Sequence, residues 1–205
     1  QVFDTITRRS ETRQRLRLGA DAQGHLIALG HEAWVSNLPD EEFAEPVTQA
    51  TEFLYRGGNR LLAVNVGRVT RLTAGSVRAP GEAVGMQALE VAMDELAERA
   101  GIDPVDLRKR NLPDRAPGAD LPYSSRKLVE ALDQGAERFG WSARKPRPCM
   151  TRQGEWWIGM GVASAARVNM MQPASARVCL GPDGGVIVET DQTDIGTGSY
   201  AILAQ

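Results

Sequence analysis

Several features that mark particular classes of protein are sparse or missing in this 205-residue sequence. It has two histidines, two cysteines and 5% aromatic residues, and no apolar run approaches the roughly 18 residues of a membrane-spanning helix. The net charge of −2 and the isoelectric point near 5.8 argue against a nucleic-acid-binding surface. The sequence therefore predicts no membrane span and no nucleic-acid partner.

The few residues that could hold a metal lack the spacing of a metal site. Cys149 and Cys179 are isolated, and we expect free thiols, buried or on the surface, more than a disulfide. His25 and His31 flank an apolar stretch and fit no metal motif, so they are expected to be ordinary strand or loop residues. No signal peptide is recognisable, which leaves both the cytoplasm and the periplasm open.

The overall composition is typical of an α+β protein. Hydrophobic residues make up 42% and charged residues 24%, and the 21 glycines are unremarkable for a globular chain. We predict mixed sheets with packed helices, divided into a first region over residues 1–145 and a second over residues 146–205. The boundary lies in a stretch rich in proline and basic residues.

Two strand patterns dominate the first part of the chain. Residues 12–36 predict a β-hairpin, and the β-branched run over residues 60–69 predicts a buried strand. The acidic loop of residues 37–45 is expected to be a solvated surface. Residues 46–56 fit either a short helix or irregular structure.

Three helices are predicted from periodicity and caps. The first begins at Glu82 and ends at the C-cap Gly101; the side chains of its apolar face are Met86, Leu89, Met93, Leu96, Ala97 and Ala100. Asp103 and Pro104 open a second, short helix. A third, capped by Ser124 or Ser125 and ended by Gly140, has an apolar stripe of Leu128, Leu132, Ala136 and Phe139.

The second region predicts a β-meander. Residues 156–168 are small and apolar and indicate one strand, and two further strands surround the turn Gly-Pro-Asp-Gly-Gly. A final helix is expected from Tyr200 onward. No repeat of solenoid period is present.

The loop before the first helix is the first candidate site. Ala79, Pro80 and Gly81 stop an incoming strand and leave a helix N-terminus, whose free N–H groups suit an anion or an oxygen ligand. Arg78 adds a fixed positive charge. The alternative is that Arg78 pairs with a surface carboxylate and that Pro80 and Gly81 form only a turn.

The second candidate site is the turn Gly196-Thr197-Gly198-Ser199, which joins a strand to the final helix. Glycines let a backbone approach a ligand closely, and hydroxyls and helix-start amides can hold phosphate or pterin oxygens. No lysine of a P-loop is present. A plain tight turn is the alternative interpretation.

Several separated motifs, taken in order, resemble a known enzyme family. They are Arg-Ala-Pro-Gly-Glu-Ala-X-Gly, Ala-Met-Asp-Glu-Leu-Ala, Asp-Pro-X-Asp-Leu-Arg-X-Arg-Asn-Leu and Asp-Ile-Gly-X-Gly. Together they resemble the molybdenum-binding (molybdopterin) large subunit of the xanthine dehydrogenase/aldehyde oxidoreductase family, most closely its bacterial aldehyde-oxidising branch. Because subunits of that family are several times longer, we expect a central fragment of a large subunit. The resemblance implies that residues 1–145 are the C-terminal part of its first molybdenum-cofactor-binding region and residues 146–205 the start of the second.

The resemblance implies an activity, cofactors and site residues. The activity is oxidation of an aldehyde, or hydroxylation of an N-heteroaromatic carbon, with water as the oxygen source. The implied cofactors are molybdenum-molybdopterin, in a dinucleotide form, and 2Fe-2S and FAD groups on partner subunits or domains. The implied catalytic residue is Arg78, and the implied cofactor-binding residues are Ala79, Gly81, Gly196, Thr197, Gly198 and Ser199.

Departures from the family pattern limit these expectations. Many relatives have glutamine at the position of Thr197, so that side-chain contact is not expected here. The family's upstream Gly-Gly-X-Phe-Gly segment and its downstream Gly-X-Gly-Glu segment, with the general-base glutamate, are absent, and Glu82 is interpreted as a helix-start residue. We therefore expect the isolated fragment to be inactive. The alternative is a non-catalytic α+β module whose loops bind a protein partner or a simple anion.

Overall fold

The structure, a computed structural model, describes residues 6–167 and 172–205. The chain divides into two compact units, residues 1–168 and residues 169–205. The first unit contains a three-stranded sheet and three helices, and the second a β-hairpin and a short helix. The α+β class predicted from the sequence is confirmed. The boundary between residues 145 and 146, which concerns the cofactor-binding regions, stays a prediction.

The sheet of the first unit has the order β1-β2-β3. Strand β1 (Thr12–Ala20) pairs antiparallel with β2 (Leu26–Asn37), which confirms the predicted hairpin. Every second residue of β2 from Leu29 to Asn37 is buried, as expected for a strand with one face on the core.

Strand β3 (Asn59–Arg68) lies parallel to β2 at the other edge of the sheet. The strand itself was predicted, but its predicted burial was wrong, since Leu61 is 51% exposed. The reason is that only one neighbour pairs with β3, and none of its residues is fully buried. The connection from β2 contains a single 3-10 turn (Ala50–Glu52), which resolves the ambiguous stretch.

Helix α1 (Glu82–Ala100) packs against β1 and forms the centre of the hydrophobic core. It ends at Gly101, whose left-handed conformation lets its N–H reach the last carbonyls, as predicted. Four of the predicted core residues are buried: Met86, Leu89, Met93 and Ala97. Leu96 is half-buried, and Ala100, the last residue of the helix, is exposed.

Helix α2 packs beside α1, and helix α3 packs against α2. Helix α2 (Pro104–Arg110) is capped as predicted, since the Asp103 carboxylate accepts from the Val105 N–H at 2.8 Å. Helix α3 (Leu128–Phe139) starts later than predicted and has no side-chain cap, so the serine caps were wrong. Leu132 is buried and Leu128 and Ala136 are half-buried, but Phe139 is 64% exposed because it lies in the last, solvent-facing turn.

Short elements fill the connections. Strands β4 (Arg115–Ala116) and β5 (Leu121–Pro122), of two residues each, form a short hairpin between α2 and α3. Strands β6 (Arg152–Gln153) and β7 (Trp156–Trp157) form another after α3. The strand predicted over residues 156–168 was wrong beyond Trp157: residues 158–167 have no regular structure, although Val162 and Ala166 pack on the core, and residue 168 lies outside the described residues.

The second unit is small. Strands β8 (Arg177–Leu180) and β9 (Val186–Glu189) pair antiparallel around the predicted turn, which confirms that hairpin. The predicted three-stranded meander is wrong in the described part of the chain, because the expected first strand does not form there. Helix α4 (Ser199–Ala204) follows the glycine-rich turn.

Candidate functional site

The Arg78 loop joins the end of the sheet to α1. Upstream, the buried Asn37 side chain holds the backbone of the loop at Ala74, accepting from its N–H at 2.8 Å and donating to its carbonyl at 2.9 Å. Ala79 has a φ of 53° and Gly81 a φ of 78°. For alanine this left-handed conformation costs about 1–2 kcal/mol, so the surroundings must hold the loop in place.

An ion pair between the buried Glu45 and the half-buried Arg9 supplies that support. The carboxylate oxygen Oε1 of Glu45, which is fully buried, accepts from the Gly81 N–H at 2.7 Å and from Arg9 Nη1 at 2.7 Å. The second terminal nitrogen of Arg9 donates to the carbonyl of Arg78. Glu45 and Arg9 thus hydrogen-bond to the loop on both sides of Ala79 and Pro80, at Gly81 and at Arg78.

Both residues of this pair were missed from the sequence. The loop of residues 37–45 was expected to be solvated, which is right for its middle and wrong for its two ends, Asn37 and Glu45. The reason is that the ends reach under the Arg78 loop, and their side chains satisfy its backbone groups. The only available signal was an acidic residue placed directly before Pro46.

The start of α1 lies in direct contact with the backbone of the β2–β3 crossover, which is the connection between these two parallel strands. A Cβ added to Gly81 would lie 2.1 Å from the carbonyl oxygen of Pro46, and one added to Gly85 would lie 1.8 Å from that of Val47. Only hydrogen fits at either position. The two glycines therefore fix how closely the helix N-terminus and its loop approach the core.

The side chain of Arg78 is exposed. Within residues 6–167 and 172–205 its guanidinium makes no hydrogen bond and no ion pair; the contact of this residue with Arg9 uses its backbone carbonyl. A carboxylate partner of the kind that the alternative interpretation requires is therefore not found in the described part of the chain.

A cavity of about 520 Å³ lies against the loop and the first two turns of α1. It is lined by Ala79, by Glu82, Met86 and Glu90 on the helix, and by residues 163–167. Its wall is almost entirely apolar. Glu82 is buried and forms an ion pair with Arg167 at 3.3 Å, which agrees with its predicted place in the first turn of the helix.

Glu90 anchors the far wall of this cavity through a buried network. Its carboxylate accepts from the Ser164 N–H, from Arg108 Nε and from the Tyr55 hydroxyl, each at 2.7 Å. Burial, followed by the nearby charge of Glu90, raises the pKa of Tyr55 well above its ordinary value. The segment that lines the cavity is thus fixed to α1, and sequence periodicity gave no sign of it.

The glycine-rich turn of the second unit is built around Asp194. One oxygen of its carboxylate accepts from the N–H groups of Gly196 (2.7 Å), Thr197 (2.9 Å) and Gly198 (3.3 Å). The Gly196 N–H contributes most to holding the pKa of Asp194 below its ordinary value. The hydroxyls of Thr197 and Ser199 lie 3.1 Å apart. These backbone amides form a nest that holds an oxyanion.

The two loops belong to different units, and each is described within its own unit. Among the described residues, no group of three or more His, Cys, Asp or Glu side chains could hold a metal ion. His31 instead makes two buried hydrogen bonds, with Thr51 at 2.8 Å and with Gln14 at 3.0 Å. Both cysteines are free and exposed.

Comparison with known proteins establishes the family. Residues 1–112 and residues 134–205 each match a molybdopterin cofactor-binding domain. The chain therefore belongs to the molybdopterin cofactor-binding family of molybdenum-binding subunits. This confirms the resemblance predicted from the sequence motifs.

Two relatives of this chain are molybdenum-binding subunits of named enzymes. The chain is 48% identical over all 205 residues to the aldehyde oxidoreductase molybdenum-binding subunit PaoC of Escherichia coli O157:H7. It is 32% identical over 141 residues, 65% of the chain, to a putative xanthine dehydrogenase molybdenum-binding subunit of Escherichia coli K12, XdhA. It spans 28% of the length of the first relative and 19% of the second.

Solved structures show the same fold. The aldehyde oxidoreductase of Desulfovibrio gigas superposes on 66% of this chain, with a TM-score of 0.59 at 23% identity; the match covers 16% of that protein. The quinoline 2-oxidoreductase of Pseudomonas putida superposes on 67% of the chain, with a TM-score of 0.60 at 17% identity; the match covers 19% of that protein.

Proposed function

We propose that this chain is a central part of the large subunit of a molybdenum-dependent aldehyde oxidoreductase. The enzyme oxidises aldehydes, or hydroxylates N-heteroaromatic compounds, with water as the oxygen source. The observation that carries the proposal is the 48% identity to an aldehyde oxidoreductase subunit along the whole chain. The exposed side chain of Arg78, next in sequence to a residue that lines an apolar cavity, adds structural support.

The donor groups of the chain fit an anionic pterin cofactor. The amides of Gly196, Thr197 and Gly198 converge on one carboxylate oxygen of Asp194, so a phosphate oxygen of a dinucleotide form would bind them in place of that carboxylate. A Cβ added to Gly196 or Gly198 would meet nothing within 4 Å, so the backbone of this turn is open to a ligand. Ser199 supplies a hydroxyl next to the amides.

Two residues of the Arg78 loop are proposed to contact the cofactor or its surroundings. Ala79 lines the cavity directly. Gly81 acts through the shape of the loop, because its N–H is already donated to Glu45. When bound, the molybdenum cofactor supplies the oxygen-transfer and redox chemistry.

Arg78 is the proposed catalytic residue of this chain. A guanidinium with no protein partner in the described residues can donate two parallel hydrogen bonds to an oxygen that gains negative charge during the reaction. The next residue, Ala79, lies in the apolar wall of the cavity, and exclusion of water by the complete subunit would strengthen this electrostatic interaction. The same wall suits the apolar body of a small aldehyde or heteroaromatic substrate.

The electrons must leave the site, so the proposal includes partners. We propose 2Fe-2S and FAD groups on partner subunits or domains, with the remainder of the large subunit completing the cavity and supplying the general base. No helix in the described residues is long and apolar enough to cross a membrane. The compartment, cytoplasm or periplasm, is left open by the sequence.

The test is metal and pterin analysis of the full-length gene product, together with its turnover of aldehydes and of N-heteroaromatic compounds. We expect molybdenum and a pterin dinucleotide, with aldehyde oxidation faster than heteroaromatic hydroxylation. Absence of both molybdenum and pterin would remove the proposal. The non-catalytic alternative would then require that the two loops bind a simple anion or a protein partner.

A further inference from the structure

We propose that Glu45 and Arg9 are positioning residues for Arg78, and that they set the place of its guanidinium through the backbone of the loop. This inference rests on the proposed function, since it assigns a role toward the catalytic residue proposed there. Neither residue carries a motif, and neither lines the cavity.

The first argument is the geometry of the contacts. One oxygen of Glu45 accepts from both the Gly81 N–H and Arg9, and Arg9 continues to the carbonyl of Arg78. The loop is thereby held on both sides of the dipeptide Ala79-Pro80. Pro80 has no backbone N–H, so it cannot donate a hydrogen bond that would hold the loop itself. The pair fixes the position from which the Arg78 side chain projects.

The second argument is that the pair is poorly arranged for stability alone. Glu45 is fully buried, and its other oxygen, Oε2, has no hydrogen-bond partner in the described residues. Arg9 is only half-buried, and a buried carboxylate with an unsatisfied oxygen contributes little net stability compared with a well-packed apolar side chain. Its contacts nevertheless all lead to the Arg78 loop, which is in a conformation that alanine rarely adopts.

The third argument is the sensitivity of catalysis to position. A charged donor must lie within hydrogen-bond distance of the oxygen that it stabilises, and a displacement of about 1 Å can reduce the rate on the order of a hundredfold. An unsupported loop with a left-handed alanine would relax away from this position. Positioning by Glu45 and Arg9 prevents that relaxation.

The experiment uses the full-length enzyme assembled with its partners and cofactor. Glu45→Gln keeps the size of the side chain and one acceptor but removes the charge that holds Arg9. Arg9→Lys keeps the charge but can reach only one of the two acceptors. We expect kcat to fall ten- to a hundredfold in Glu45→Gln and less in Arg9→Lys, with KM within about twofold and full molybdenum content.

Two controls separate positioning from loss of stability. Asn111→Ala removes a fully buried amide that bonds Gly24, Leu26 and Leu107, far along the chain from the loop. Glu32→Gln removes a carboxylate that pairs with Arg15 and Arg17 on the sheet. Both should leave kcat unchanged, although Asn111→Ala lowers the Tm.

A second readout does not depend on activity. In the cofactor-free full-length subunit, amide hydrogen exchange of the peptide over residues 75–86 should speed up at least tenfold in Glu45→Gln, while residues 103–111 keep the wild-type rate. Arg9→Lys should give a smaller increase in the same peptide. This measurement reports directly on the loop that the pair is proposed to hold.

The outcomes distinguish this inference from the proposed function. If the wild-type enzyme turns over aldehydes and Glu45→Gln has unchanged kcat, or if Asn111→Ala loses as much kcat, the positioning role is wrong. Unchanged exchange over residues 75–86 in both variants also overturns it. A wild-type protein without molybdenum or pterin instead overturns the proposed function itself. Should Glu45→Gln fail to fold, Arg9→Lys alone decides.

Discussion

At the scale of single residues, Arg78 is the position where turnover and folding should separate. Its side chain is exposed and makes no hydrogen bond or ion pair with the described residues, so removing it should leave the Tm and the molybdenum content of the full-length enzyme unchanged. Loss of one charged donor to the transition state costs about 2–4 kcal/mol, and we expect Arg78→Ala to reduce kcat/KM by roughly two to three orders of magnitude.

Arg78→Lys tests the geometry of the same contact. Lysine keeps the charge but lacks the planar fork that can bridge two oxygens, so it should recover only part of the lost rate. Kinetics, metal content and Tm must be measured on the same preparations. Full cofactor with wild-type kinetics in Arg78→Ala would return this residue to an ordinary surface arginine beside a turn.

His31 should make stability depend on pH. Burial lowers the pKa of His31 from 6.5 to about 4, and its ring nitrogens are bonded to Thr51 and Gln14 in the fully buried side chain. The unfolded chain therefore takes up a proton near pH 6.5, but the folded chain does so only near pH 4. Stability from this residue is present above pH 6.5 and is lost as the pH falls toward 4.

The expected loss from His31 is on the order of 3 kcal/mol between pH 7 and pH 4. Urea unfolding of the subunit, followed by tryptophan fluorescence at a series of pH values, would measure it. His31→Gln cannot take up this proton, so its free energy of unfolding should depend less on pH below pH 6.5. The variant should also be less stable than the wild type at pH 7. An equal slope in both proteins would contradict the assignment to His31.

At the scale of elements, two glycines in helices should respond oppositely to the same substitution. Alanine is favoured over glycine inside a helix by about 1 kcal/mol. In α3, a Cβ at Gly135 meets nothing within 4 Å, so Gly135→Ala should stabilise the protein by about that amount. In α1, a Cβ at Gly85 would lie 1.8 Å from the Val47 carbonyl oxygen, so Gly85→Ala should destabilise despite the helix preference.

The two alanine variants are matched, because both add one methyl group to the interior of a helix. We expect the Tm of Gly85→Ala to fall by several degrees, with a loss of about 2 kcal/mol or more, since the helix must move away from the crossover. In the full-length enzyme, Gly85→Ala should also lower kcat through the adjacent loop. If both substitutions stabilise, the close contact at Gly85 is wrong.

At the scale of the whole molecule, the second unit should be the less stable part of the isolated chain. Its hairpin has four-residue strands, and four of the apolar side chains on it are 60–75% exposed: Val178, Leu180, Val186 and Ile187. A short two-stranded hairpin without a covered face is marginal in water. Hydrogen exchange should therefore be faster in residues 172–205 than in β1, β2 and α1. Slowest exchange in this unit of a monomer would contradict the prediction.

The isolated chain should also be inactive. It spans 28% of the length of its aldehyde oxidoreductase relative, and the family segment with the general-base glutamate is absent from its sequence. Purified residues 1–205 should therefore retain no molybdopterin and should not reduce a dye with aldehyde. The full-length enzyme, prepared in parallel, is the positive control. Aldehyde-dependent dye reduction by the isolated chain would show that the site has been placed wrongly.

What the sequence determined by itself follows from local chemistry. Periodicity and caps predicted α1 and α2, alternation and turn residues predicted the β1–β2 and β8–β9 hairpins, and the order of motifs predicted the family. These signals lie within a few residues of the feature that they specify. For the same reason, Arg78, Ala79 and Gly81 and the turn of residues 196–199 could be named as candidates before their surroundings were known.

Only the tertiary structure decided which polar residues support the loop and which apolar residues remain exposed. Glu45 and Arg9 are far from Gly81 in sequence, and Glu90 meets Ser164 only because residues 158–167 leave the predicted strand and lie on α1. Phe139 is exposed because it lies in the last turn of α3, and Leu61 because β3 is an edge strand. Burial and long-range hydrogen bonds depend on how elements pack, and no local pattern of residues encodes that arrangement.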